Sequence, residues 1–160
     1  MKKFLIALLL VVSGSSFAQS LAKEDVDVIQ SIYGKSKSDL VKQYMNLSDE
    51  QTLAFQKIYD DYETERKALG QNIIKVVDDY ATNYATLTDA KADELAKGTL
   101  KSNLGYEKLY DKTYTKAKKA IGAINAAKFI QLEVYLQTAI RGQILDSIPF
   151  IGEIEKSKVN

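Results

Sequence analysis

LSDEQTLAFQKIYDDYE, residues 47–63, opens on polar side chains and then settles into a spacing of apolar ones that one backbone geometry explains. Phe55, Ile58, Tyr59 and Tyr62 lie mostly three or four positions apart, which gathers them on one face of an α-helix. A strand would scatter the same residues over both of its faces. The opening residues fit the start of that helix. Ser48 can accept a hydrogen bond from the backbone N–H three residues on, and the Gln51 side chain can reach back to the Ser48 N–H, a reciprocal capping box that Leu47 seals. The period continues through Leu69, Ile73, Val76, Tyr80, Tyr84 and Leu87. It predicts one amphipathic helix over 49–86, roughly 55 Å long at the α-helical rise. Such a helix needs other long helices against its apolar face.

Two later sites repeat the opening order of an apolar residue followed by a capping type. They are Leu87-Thr88-Asp89-Ala90-Lys91 and Ile124-Asn125-Ala126-Ala127-Lys128. Thr88 and Asn125 can each cap a helix, but Lys91 and Lys128 cannot complete a capping box, because an ammonium group only donates. The predicted helices are 89–120, with Leu95, Leu100, Leu104, Tyr106, Tyr110, Tyr114, Ala117 and Ile121 on the apolar side, and 126–146. In the last, Phe129, Leu132, Leu136, Ile140 and Ile144 form one stripe, which Ile130, Val134 and Tyr135 widen. Gly98 and Gly105 weaken the first half of the third helix, and Gly70 marks a bend or a close contact in the second. Pro149, the single proline, stops the last helix and leaves 149–160 as an irregular tail. Upstream of residue 47 the pattern gives a shorter helix interrupted at Gly34. The fold class expected is all-α: four antiparallel helices, two of them long, joined by short turns into an elongated bundle.

The first eighteen residues, MKKFLIALLLVVSGSSFA, carry a basic start, a short apolar run and small residues around Phe17. This is the pattern of a secretory signal peptide, with cleavage expected after Ala18 and a single helical domain over 19–148. The apolar run is shorter than the ~20 residues that span a bilayer. No later segment reaches that length, so no integral membrane segment is expected in the mature chain. The full chain has 22 basic and 21 acidic side chains, and loss of Lys2 and Lys3 leaves 20 against 21. That balance gives no basic excess to collect nucleic acid.

The chain has no His and no Cys. This removes the Ser-His arrangement, a thiolate nucleophile, ordinary zinc sites and disulfides, so neither an enzyme nor a cofactor is expected. The acidic pairs Asp60-Asp61 and Asp78-Asp79 point about 100° apart on a helix and read as solvated faces. Two surface features remain as candidates for binding. Lys108, Lys112 and Lys116 recur at helical spacing, either as a solvated stripe or as a basic strip for acidic clients or anionic lipid headgroups. Tyr80, Tyr84, Tyr106, Tyr110 and Tyr114 either pack the core or line a ring-rich face that takes varied polypeptides.

The pattern at Leu47, Ser48 and Gln51, in a chain with an export leader and no Cys, resembles the repeated Leu-Thr-x-x-Gln of the Spy and CpxP family of periplasmic proteins. The resemblance runs from about Leu47 to Phe150, with Ser in place of Thr at 48. At the second copy Ile124, Asn125 and Lys128 stand for Leu, Thr and Gln. The resemblance implies a curved helical hairpin that pairs into a cradle-shaped homodimer in the periplasm. It also implies an ATP-independent chaperone, or a damper of envelope-stress signalling, whose partners are unfolded or envelope polypeptides. The alternative is a structural or interaction protein that uses Ile130, Val134 and Tyr135 to form a homo-oligomer or to dock one envelope partner.

Overall fold

The computed structural model describes residues 35–146, together with 148, 149 and 151. The expected leader and most of the expected tail lie outside the described residues. Among the described residues four α-helices follow in order: α1 (Lys37–Met45), α2 (Asp49–Asn83), α3 (Asp89–Ile121) and α4 (Ala123–Asp146). A 3₁₀ turn, Tyr84–Thr86, lies between α2 and α3. No strand occurs among the described residues, and the protein is all-α.

Each helix start has a local cause. The Ser36 hydroxyl accepts from the Asp39 N–H at 3.2 Å and opens α1. At the start of α2 both halves of the capping box form: the Gln51 N–H donates to Ser48 Oγ at 3.3 Å, and the Ser48 N–H donates to Gln51 Oε1 at 3.2 Å. Thr88 caps α3 by accepting from the Lys91 N–H at 3.3 Å. The α-helix predicted over 49–86 ends at Asn83, because its last turn tightens into the 3₁₀ segment.

The third cap is a correction. Asn125 does not start a helix; it sits inside the first turn of α4 and its Nδ2 donates to the Ile121 carbonyl at 3.1 Å. Gly122 alone separates α3 from α4, at φ +83°, a left-handed conformation that costs glycine little. Its N–H closes the end of α3 on the Lys118 carbonyl, and its own carbonyl accepts from the Ala126 N–H at 3.0 Å. Helix α4 therefore begins three residues before the predicted position, and Ile124 projects outward, 81% exposed.

Helices α2 and α3 form the longest contact. Lys91 meets Asp79, Gly98 faces Val76, Gly105 faces Leu69 and Lys112 meets Glu65, so positions rise on one helix as they fall on the other. The glycines permit that approach. A Cβ on Gly98 would stand 3.0 Å from Val76 Cγ2, and one on Gly105 only 2.7 Å from Leu69 Cδ2.

The core lies toward the α3–α4 junction. Phe129 is fully buried, with Phe55 and Tyr62 edge-on to it at 5.0 and 5.2 Å between ring centroids. Pairs in this geometry contribute about 0.5–1.5 kcal/mol beyond the area they bury. Val41 and Met45 bring α1 onto the same cluster. The Lys128 ammonium donates to the Met45 carbonyl at 3.0 Å, satisfying an acceptor that the end of α1 leaves open.

Candidate functional site

Away from this core, the far end of the α2–α3 pair is not closed by side chains. A half-open groove of about 380 Å³ runs between α2, α3 and the end of α4. Val76, Val77, Leu95, Ala96, Ile144 and Leu145 supply apolar wall, and the tail crosses at Ile148 and Pro149. The volume falls in the range of ligand-binding clefts, which are apolar with a few placed polar groups. Tyr80 ties the tail down: its hydroxyl donates to the Pro149 carbonyl at 2.6 Å.

The polar groups cluster at one end. Asn103 of α3 and Arg141 of α4 line the groove there. The Arg141 guanidinium lies over the Tyr106 ring, 4.9 Å from its centroid, and its Nε is buried with no hydrogen-bond partner among the described residues.

The tyrosines read from the sequence as either core or binding face divide between groove and core. Tyr80 lines the groove, and half-buried Tyr84 meets it edge-on at 5.7 Å. Tyr106 and Tyr110 are 1% and 7% exposed, so of the two readings they take the core one and do not belong to an open binding surface. Their rings face inward because α3 carries them on the side that packs against α2 and α4. Tyr114 is half-buried against the same cluster. Burial raises the phenol pKa of Tyr59, Tyr62 and Tyr110, with Glu133 and other acids adding to the shift, so these hydroxyls stay protonated at neutral pH.

Lys108, Lys112 and Lys116 are exposed, and Lys112 pairs with Glu65 at 2.5 Å. At about 100° per residue they fall on roughly the opposite side of α3 from Ala92, Ala96 and Asn103. The basic strip and the groove therefore do not form one surface. The motif residue Leu47 lines a second hollow of about 350 Å³ at the α1–α2 elbow, together with Met45, Phe55 and Tyr59.

A second cluster of charge was not anticipated from the sequence. Glu133 of α4 is 1% exposed and receives two donors on Oε2: the Tyr62 hydroxyl at 2.7 Å and the Lys37 ammonium at 2.7 Å. Lys37 also pairs with Glu63, whose carboxylate takes Arg66 Nε at 3.0 Å. Burial alone would raise the Glu63 pKa, but the Lys37 and Arg66 charges and hydrogen bonds outweigh it and hold the carboxyl below its ordinary value. Two cations and two anions thus join α1, α2 and α4 in the interior. One signal in the sequence does point inward: Glu133 lies on the Phe129, Leu136 and Ile140 stripe. Arg141, next to Ile140, carries no comparable signal.

Among the described residues no helix is long and apolar enough to cross a membrane, and no group of three or more acidic side chains is placed to hold a metal ion. Compared with family models, curated proteins and solved structures, the chain matches none.

Proposed function

We propose that this chain is an exported periplasmic binding protein, an ATP-independent holdase or envelope-stress adaptor that works as a homodimer and carries out no covalent chemistry. The observation that carries this reading is the half-open apolar groove of about 380 Å³ between α2, α3 and the end of α4. Burial of apolar area, at about 25 cal/mol per Å², depends little on sequence, which suits a surface that holds varied polypeptide segments. The leader pattern at 1–18 supports export, and the resemblance at Leu47, Ser48 and Gln51 supports the chaperone-like role. The test is the aggregation of a chemically unfolded client titrated with the mature chain. Suppression that persists in high salt is expected, since an apolar groove is not screened. Failure at every ratio, in low and high salt alike, would reject the holdase role.

One observation favours a second reading. On α4, Val134 and Tyr135 are 44% and 61% exposed beside half-buried Ile130, an apolar face on the outer side of the helix. In an interaction protein this face would dock one envelope partner or a second copy. Crosslinking and pull-down from an envelope extract separate the two: many weak clients favour the holdase, one stoichiometric partner the interaction protein.

A further inference from the structure

The groove is apolar along most of its length and basic at one end. On α3 its lining runs along one helix face from Ala92 to Asn103, roughly 16 Å of rise. Gly122 alone joins α3 to α4, and Asn103 and Arg141 are equidistant from it in sequence, which sets them side by side at the same end. The tail residues Ile148 and Pro149 lie toward the other end, with Tyr80.

Arg141 is the only charged residue on the lining among the described residues. Its Nε is buried without a hydrogen-bond partner among the described residues, and no described carboxylate forms an ion pair with it. The Tyr106 ring, 4.9 Å from the guanidinium carbon, attracts the cation through its π face without neutralising its charge. A guanidinium with no ion-pair partner among the described residues, beside an apolar groove, selects an anion that brings apolar groups with it, and its planar fork matches a carboxylate. Asn103, beside it, offers a donor and an acceptor in one side chain. That pair complements a peptide bond and has no counterpart in a hydrocarbon chain.

We propose that the groove binds the C-terminal end of an extended, apolar polypeptide, with its terminal carboxylate on Arg141, its last amide against Asn103 and its apolar side chains between α2 and the end of α4. This rests on the polypeptide-binding role proposed above and narrows it to chain ends. At about 3.3 Å per extended residue, the groove holds four or five residues, which run back from Arg141 toward Tyr80 and Pro149.

The experiment is fluorescence anisotropy on the mature chain, with a labelled aliphatic hexapeptide as the free acid and as its C-terminal amide. The acid is expected to bind about tenfold more tightly. Arg141→Gln should bring acid and amide to the same Kd. Ala96→Phe, which fills the apolar part and leaves Arg141 in place, should weaken both, and it serves as the second variant if loss of the Tyr106 stack unfolds the first. Equal binding of acid and amide by the unaltered chain overturns the proposal, as does an acid preference that survives Arg141→Gln. Displacement of the peptide acid by decanoate at lower concentration than by unlabelled peptide acid also overturns it, and would make the groove a site for acyl carboxylates. An acid preference found without any suppression of client aggregation upholds the chain-end site and removes only the holdase role.

Discussion

Glu133 shows how much a single side chain can hold. With 1% of it exposed, its carboxylate takes its hydrogen bonds from Lys37 and Tyr62. Replacing Lys37 by Met leaves that carboxylate without its ammonium partner, and loss of one member of a buried pair costs about 3–5 kcal/mol. The drop is read from urea unfolding at neutral pH. Tyr62→Phe removes one hydrogen bond to a charged group and should cost about 1.5–3 kcal/mol in the same measurement. Glu63 adds a pH dependence whose sign follows from its lowered pKa. The stability it contributes is fully present above its ordinary value of 4.5 and is lost as pH falls through the lower folded value. Urea midpoints from about pH 6 to about pH 2 should fall less steeply in Glu63→Gln than in the unaltered chain. Periodicity in the sequence places Glu133 inward, but it does not reveal Lys37 as its partner, because the two are brought together only when α1 docks on α4.

At the scale of the helices, the spacing of apolar residues foretells the two long elements and the cap at Ser48, and the structure contains both. Local chemistry decides these features, and local chemistry is legible in sequence. The start of α4 was not, since Asn125 satisfies the requirements of a cap as well as those of a first-turn residue. What decided was the left-handed Gly122, which lets α4 begin at once. Gly98 and Gly105 look like weak points in a helix, yet a Cβ at either would crowd a side chain of α2, a fact that only packing reveals. The four positions differ in what alanine should do. At Gly142 a Cβ meets nothing within 4 Å inside α4, so Gly142→Ala should raise stability by about 0.5–1 kcal/mol. At Gly122 the same change forces a left-handed backbone on a residue with a Cβ and should cost about 1–2 kcal/mol. Thermal unfolding of the two variants should move in opposite directions.

For the molecule as a whole, the all-α architecture was legible in the sequence, while the groove was not. Three helices and a proline-bearing tail build it, and no one segment carries its pattern. The tyrosines illustrate the difficulty, because helical spacing puts Tyr80, Tyr106 and Tyr110 on apolar faces without saying which face stays open. Packing sends Tyr106 and Tyr110 into the core and leaves Tyr80 on the groove. The lysine strip lies on the far side of α3, so binding to the groove and attraction to the strip are separable by position. A photo-reactive amino acid placed at Thr99, in the groove, or at Lys112, in the strip, reads this directly when the protein is irradiated with an unfolded client. Groove binding predicts crosslinks from Thr99 and few from Lys112, in low and high salt. Crosslinks from Lys112 alone, lost as salt rises, would contradict it.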